Sequence, residues 1–286
     1  MFEIREALDP RDGWTQVFEV EEVLAHRKTP FHELIIFDNP LFGRVLMLDG
    51  VVQTTESDEY IYHEMLVHVP LLAHGAARRV LIIGGGDGGA LREVLRHPTV
   101  AHVTLVEIDA EVVAAAREYL PCHSSGGFDD PRAELVIADG ASYVAETDGR
   151  FDIVLVDSTD PSGPGKSVFT EAFYTGCRRL LGPEGVLTFQ GGTTLFEDEA
   201  LARTVDRLRP HFADVSYYLT MVPSYLGGAM ALGWASDDRS MRQVSASVLA
   251  ERLATAGFEA RHYSPAVHVG AFALPPSLER FVTPAR

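Results

Sequence analysis

Five carboxylates fall where an open parallel sheet would carry them, at the carboxyl ends of its strands: Asp87, Glu107, Asp139, Asp157 and Asp160. Ligands of such sheets bind in the crevice outside those ends. One acid there is ordinarily a helix N-cap, and Asp139 alone is explained as well by that role as by ligand binding. Five converging acids are harder to dismiss. Carboxylates crowded into one cleft repel and raise one another's pKa, so they imply cations lying among them. Asp87 is the most telling, because it sits inside the glycine-dense turn Gly84-Gly85-Gly86-Asp87-Gly88-Gly89, between the aliphatic run Arg79 to Ile83 and the helical pattern Ala90 to Leu95. Strand, glycine turn and helix together build a nucleotide crevice, and Glu107, roughly 20 residues on, is placed to accept hydrogen bonds from ribose hydroxyls. Gly84-x-Gly86-x-x-Gly89 also fits the dinucleotide fingerprint, and a purely structural turn is a third reading. A carboxylate inside the turn would repel a pyrophosphate and hold a cationic group, which favours a sulfonium nucleoside carrying an amine.

The elements that must position these groups divide the chain in two. Residues 1–56 read as an N-terminal β-hairpin domain, with strands at 16–20, 33–38 and 44–48 separated by turn signals such as Asp38-Asn39-Pro40 and Asp49-Gly50. Residues 57–286 read as a Rossmann-like catalytic domain. It opens with a helix from Tyr60 to Leu72, one face formed by Ile61, Met65, Val69 and Leu72 and the N-cap supplied by Asp58 or Ser57. Strands near 79–84, 102–107, 133–138, 151–157 and 185–190 then alternate with helices near 88–97, 110–119, 140–147, 167–181 and 197–209. That alternation predicts an α/β fold, a doubly wound sheet of the methyltransferase type preceded by the small antiparallel β domain. Late strands near 213–221 and 229–235 would close the sheet with an antiparallel member, and one helix and a proline-containing segment would end the chain. The run from Asp157 to Ser167, with prolines at 161 and 164 and glycines at 163 and 165, predicts a shaped loop over the crevice; the alternative is an ordinary connection capped by Ser167 or Thr170.

Composition narrows the partners. Of 286 residues, 41 are Asp or Glu and 24 Lys or Arg, a formal charge of −17. Phosphate binding relies on clustered basic residues, so a nucleic-acid partner is excluded, although most of the acidic excess is accounted for by surface solubility. No apolar run reaches the roughly 20 residues of a membrane span, and Met1 to Glu6 lacks a secretory layout, so no membrane partner and a cytoplasmic location are expected. Two cysteines, Cys122 and Cys177, are too few for a disulfide framework, and neither has metal-ligand spacing with histidine.

Several ordered motifs are shared with one family. Tyr60-Ile61-Tyr62-His63-Glu64-Met65, the glycine turn, Glu107-Ile108-Asp109, Asp139-Gly140, Asp157-Ser158-Thr159-Asp160-Pro161 and Pro223-Ser224-Tyr225, with Leu48 to Glu56 and Asn39 to Gly43, closely resemble the spermidine synthases, the polyamine aminopropyltransferases, of bacterial type. The resemblance implies transfer of the aminopropyl group of decarboxylated S-adenosylmethionine, a co-substrate, to putrescine, giving spermidine and methylthioadenosine without metal or cofactor. By the same resemblance Asp157 is the proton acceptor. His63, Asp87, Asp160, Tyr62, Tyr225, Ser158, Thr159 and Gln190 hold the amine-bearing substrates, with Asp87 on the aminopropyl amine. His32, Gln53, Glu107, Asp139, Gly140, Pro164, Gly84 and Gly86 hold the nucleoside, and the family's dimers or tetramers imply a homo-oligomer meeting through the hairpin domain.

Taken alone, Tyr62 and Tyr225 read better as packed aromatics and His63 as a satisfied helix histidine. Three departures stand out: His32 where the family usually has glutamine, Lys166 in the crevice loop, and Gln190-Gly191-Gly192-Thr193 at the far end of the amine pocket. These keep other readings open: an aminopropyltransferase for cadaverine, agmatine or spermidine, or a non-catalytic polyamine-binding homologue; against a putrescine methyltransferase stand Asp87 and the pair Asp157 and Asp160. A nicotinamide-dependent oxidoreductase would leave the acidic cleft unexplained.

Overall fold

A computed structural model of the chain describes residues 2–6, 13–159, 163–194 and 198–283, apart from the side chains of Pro164 and Asp198. Its centre is a seven-stranded sheet made of β7 (Arg79–Gly84), β8 (His102–Glu107), β9 (Ala133–Ile137), β10 (Phe151–Asp157), β11 (Leu181–Thr193), β12 (Asp214–Met221) and β13 (Ala229–Ser236). The spatial order is β12-β13-β11-β10-β7-β8-β9. Strands β11, β10, β7, β8 and β9 run parallel, and β13 is antiparallel to both β11 and β12.

The strands read as continuous apolar runs because both faces are covered. Along β7, Val80 and Ile82 face the core shared with α1 (Glu59–His74) and α2 (Gly89–Leu95), while Leu81 and Ile83 face the core shared with α6 (Glu171–Leu180) and α7 (Asp198–Leu208). Period-two alternation thus feeds two different cores instead of core and solvent. The remaining crossover helices are α3 (Ala110–Tyr119), with the short α4 (Pro121–Ser124) after it, and α5 (Gly140–Glu146).

Helix α1 departs from the one-faced helix expected from its periodicity. Fourteen of its sixteen residues are buried, including Glu59, His63, Glu64 and His68. Asp58 occupies the N-cap position but does not cap. Its carboxylate accepts instead from the Thr55 hydroxyl (2.7 Å), the Ser224 amide (2.8 Å) and the Ser224 hydroxyl (3.0 Å). Glu64 likewise turns its carboxylate to the amides of Arg261, His262 and Tyr263 at 2.7–2.8 Å. A helix buried all round must satisfy its polar residues through the segments packed on it, and these acids do so by holding distant backbone.

The N-terminal segment forms a two-stranded pair, β1 (Phe2–Arg5) with β2 (Val17–Val20), and a meander of β3 (Glu22–Lys28), β4 (Glu33–Asn39), β5 (Gly43–Leu48) and β6 (Val51–Thr55). Strands β1, β3 and β6 were not expected. The turn at Asp49-Gly50 has positive φ at both residues, 52° and 79°, as a type I′ hairpin turn requires. One face of the meander, Ala25, Leu34, Ile36, Leu46 and Leu48, packs on Val112, Ala115 and Leu120 at α3, and Arg27 reaches Glu111 and Glu118 on the same helix. This docking brings β3, β4 and β6 to the rim of the crevice.

Helix α6 begins at Glu171, later than expected, because residues 163–169 form a 3-10 turn and Thr170 accepts from the Phe173 amide as N-cap. After β13 come α8 (Ala246–Ala256), α9 (Pro265–Ala271) and α10 (Pro276–Val282). The last two contradict the simple proline-containing tail: each starts with proline at its first turn, where the missing N–H has no intrahelical partner to lose.

His268 on α9 is 1% exposed and bonded through Nδ1 to the Tyr263 hydroxyl (2.9 Å), and burial pushes its pKa down to about 4. Its lowered folded pKa means that the unfolded chain takes up a proton first, so native stability is lost as pH falls from about 6.5 towards 4. The expected result is that His268→Gln flattens the fall in melting temperature over that range relative to wild type, read by calorimetry at each pH.

Candidate active site

The strand order reverses between β7 and β10, and the crevice opens there. Asp157, the last residue of β10, pairs in register with Gly84, the last of β7, and its carbonyl accepts from the Gly85 amide (2.8 Å). Gly84 has φ 82°, and a Cβ on it would lie 2.1 Å from that carbonyl oxygen, so only glycine lets the two strand ends meet. This contact sets the turn so that Asp87 comes back towards Asp157.

His63 stands between the two acids. Its Nε2 is 3.6 Å from Asp87 Oδ2 and 4.0 Å from Asp157 Oδ2, and its Nδ1 is 2.6 Å from Glu59 Oε2. A Cβ on Gly89 would fall 2.2 Å from the imidazole, so that glycine makes the ring's place. Asp87 Oδ1 accepts from the Gly89 amide (2.6 Å). Asp157 Oδ1 accepts from the Tyr62 hydroxyl (2.8 Å), while Asp157 Oδ2 is buried with no hydrogen-bond partner among the described residues.

The two carboxylates titrate in opposite directions. Burial would raise both. At Asp87 the nearby His63 and the Gly89 amide overcome it and hold the acid well below the usual carboxylate range. At Asp157 burial, with Asp87 adding to it, prevails over His63 and Tyr62 and lifts the carboxyl to about 6. One acid therefore stays ionised and the other is poised to exchange a proton near neutrality.

Glu107, ending β8, accepts from the Gly86 amide (3.1 Å) and the Asp109 amide (2.9 Å), and burial, partly offset by the Asp109 and Ile108 amides, raises it to about 7. His32 is buried and bonded through Nδ1 to Asp49 Oδ2 (2.9 Å), and it lies close enough to Glu107 to favour the ionised acid. Its N–H and that of Phe31 are held by Thr29, whose hydroxyl donates to Asp109. Asp139 is the N-cap of α5, accepting from the Ser142 amide (2.7 Å), and its other oxygen takes the Ser167 hydroxyl (3.3 Å). Gly140, the first residue of α5, is buried beside it. Thus Glu107, Asp139 and Gly86 are gathered on the β7-β8-β9 side, the acid pair on the β7-β10 side.

Tyr225 donates to the Gln53 carbonyl (2.8 Å) and meets Tyr62 edge-on at 5.9 Å, so β6, α1 and the 223–225 turn share one wall. Neither tyrosine is only packing: Tyr62 is buried with its hydroxyl on Asp157. The Gln53 amide group donates to the Val51 carbonyl (3.1 Å). Gln190 follows Phe189, which pairs with Val156, so it lies beside Asp157 on the neighbouring strand. Ser158 and Thr159 continue from Asp157, the Ser158 hydroxyl donating to the Thr159 carbonyl (3.2 Å). Lys166 is exposed. Asp160 and the side chain of Pro164 lie outside the described residues.

Glu59, Arg92 and His123 were not anticipated. Glu59 bridges His63 and Arg92 (2.9 Å), and His123 bonds Thr54 through Nε2 (2.9 Å) with its ring 6.3 Å from that of His63. The four-residue spacing of Glu59 and His63 on a predicted helix was the one available signal. Among the described residues no group of three or more His, Cys, Asp or Glu could hold a metal ion, and no helix is long and apolar enough to cross a membrane.

The chain is similar to known proteins over nearly its whole length. The Spermine/spermidine synthase domain family matches residues 59–245, and the Spermidine synthase tetramerisation domain family matches residues 4–56. A polyamine aminopropyltransferase of Shigella boydii serotype 18 is 51% identical over 268 residues, covering 94% of this chain and 93% of the relative, and one of Escherichia coli is equally similar. A spermidine synthase crystal structure in complex with the transition-state analogue AdoDATO superposes with a TM-score of 0.92 at 36% identity, covering 98% of this chain and 94% of that one. The spermidine synthase of Thermotoga maritima gives 0.91 at 36% identity, covering 99% and 94%. Matched by the family model over residues 59–245 and 51% identical to a polyamine aminopropyltransferase over 94% of its length, the chain belongs to the spermine/spermidine synthase family and is an enzyme of the aminopropyltransferase class.

Proposed function

We propose that the enzyme transfers the aminopropyl group of decarboxylated S-adenosylmethionine to putrescine, giving spermidine and methylthioadenosine. The observation that carries this reading is the division of labour between Asp87 and Asp157, an anchoring anion and a proton acceptor on either side of one histidine. Asp87 takes the ammonium of the aminopropyl arm. Ordinary S-adenosylmethionine carries a carboxylate near that ammonium, which Asp87 would repel, so selectivity comes partly from repulsion.

The acceptor arrives as a dication, and an ammonium nitrogen has no lone pair. Asp157 takes one proton on Oδ2, the oxygen that Tyr62 leaves open. The freed lone pair forms a C–N bond at the methylene next to sulfur while the C–S bond breaks, its electrons returning to sulfur as the neutral thioether of methylthioadenosine. The sulfonium is already an activated leaving group, so the reaction needs no metal or further cofactor, and holding the amine at roughly 3–3.5 Å in line supplies a large share of the rate.

Glu107 with its raised proton affinity accepts from the ribose, and Asp139, Gly140, His32, Gln53, Gly84, Gly86 and Pro164 complete the nucleoside side. Ser158, Thr159, Gln190 and Tyr225 line the diamine side, and Asp160 is assigned to the diamine by the family resemblance alone. The match of residues 4–56 to a tetramerisation domain family supports assembly through the N-terminal sheets; a cytoplasmic location belongs to the same proposal.

The direct test is a single turnover with decarboxylated S-adenosylmethionine and equimolar deuterated putrescine, cadaverine, agmatine and spermidine, followed by mass spectrometry, the deuterium separating newly formed spermidine from that added. Spermidine formed first supports the reading; another alkylated amine moves the acceptor assignment to that amine, and no alkylation at all refutes transfer. Asp157→Asn keeps the shape and removes the basicity, so turnover should fall by about 10²–10⁴ while methylthioadenosine affinity persists. Asp87→Asn should weaken decarboxylated S-adenosylmethionine by roughly ten- to a hundredfold, the worth of about 1.5–3 kcal/mol for a hydrogen bond to a charged group, and leave methylthioadenosine, which lacks the amine, unaffected in a calorimetric titration.

A further inference from the structure

One buried charge next to the acids has no part in the reaction as derived. Glu59, 8% exposed, lies on α1 one turn before His63, and its Oε2 is shared between His63 Nδ1 (2.6 Å) and Arg92 Nη2 (2.9 Å). Arg92 cannot follow a moving partner. Its Nε is bonded to Glu93 (2.7 Å), and its Nη1 to the carbonyls of Cys122 (3.1 Å) and His123 (2.8 Å). Glu93 is fixed in turn by Arg96 (2.8 Å) and lies 3.0 Å from His68 Nε2. The Glu59 carboxylate is thus held rigidly, and ion pairs left open on one side are costly to bury unless another charge completes them.

We propose that Glu59 is a positioning residue of the transfer reaction: clamped by Arg92, it fixes His63 as an imidazolium with Nδ1–H on Glu59 and Nε2–H facing the gap between Asp87 and Asp157. The assignment rests on Asp157 being the proton acceptor. The groups facing the imidazole are Glu59 and Tyr62 from α1, Asp87 from the glycine turn, Asp157 from β10 and His123 from the α4 segment. Three carboxylates surround one ring, and an acceptor oxygen at Nδ1 requires that nitrogen to carry the hydrogen. Burial opposes the charge, but Asp87 and then Glu59 outweigh it and hold His63 well above its ordinary value, while His63 and Arg92 hold Glu59 down to about 2 against burial. The cation lies nearer Asp87 than Asp157. Glu59 therefore acts through His63 to keep the first acid ionised as an anchor, while at the second, farther from the cation, burial still prevails over the pull of His63.

Nitrogen-15 NMR of histidine-labelled, ligand-free enzyme tests this without turnover. Both His63 nitrogens should be protonated at about pH 7.5, and in Glu59→Gln the ring should titrate lower by about one unit or more, a tenfold change in proton affinity. The same variant should lose about tenfold in kcat/KM for the amine and retain methylthioadenosine affinity within about twofold. A neutral wild-type His63 at that pH, or a Glu59→Gln titration that does not move, overturns the proposal. Should Glu59→Gln fail to fold, the wild-type spectrum alone decides. An imidazolium in an enzyme that alkylates no amine would keep the charge assignment and sink the reaction reading instead.

Discussion

Two carboxylates buried in one crevice resist being ionised together unless a positive charge stands between them. Here that place is filled by His63, packed against a glycine where any larger residue would collide with the ring. The rest of the site follows from this placement. Asp87 is returned to the crevice by a turn that only glycine at 84 permits, and Asp157 is delivered by the strand next to it, so the separation of the two acids is set by backbone hydrogen bonding in the sheet. A preorganised separation costs nothing to rearrange when the substrates arrive, which is where such a site gains over solution.

Helix α1 ties the parts together. It carries Tyr62, His63 and Glu59 to the acids, and through Asp58 and Glu64 it pins the turn at Ser224 and the segment at 261–263. The N-terminal sheet then docks on α3 and brings Gln53, Thr54 and His32 to the same rim. Glu6 reinforces that docking, accepting from the Val52 amide (3.0 Å) and from Gln16, which also donates to the Ser224 carbonyl (3.0 Å). A crevice wall is therefore assembled from segments far apart in the chain, each held by a buried polar contact whose loss would leave an unsatisfied group.

The parallel strands were legible because both of their faces are buried, which writes an uninterrupted apolar run such as Val80 to Ile83. Strands β3 and β6 were not, since Glu22, His26, Arg27 and Lys28 in one and Gln53, Thr54 and Thr55 in the other give a mixed pattern that only pairing with β4 and β5 resolves. Helix α1 read as one-faced because the polar residues on its other faces are buried too, satisfied by partners that periodicity does not reveal. In the site, Asp87 and Asp157 stood out by their positions at strand ends. Asp139 caps α5, a role its place at a strand end already allowed beside ligand binding. Glu59 and Arg92 were not legible, because a bridge between two helices exists only once α1 lies on α2.

The separation of the two acids is tested most directly by the pH dependence of kcat/KM for the amine at saturating decarboxylated S-adenosylmethionine. A proton acceptor raised to about 6 must be ionised to work, so the rate should fall with a single proton as pH drops through about 6 and level off above it. A limb near the ordinary carboxylate value, or none down to about pH 4.5, would mean that Asp157 is not the group held apart from Asp87 to take the proton.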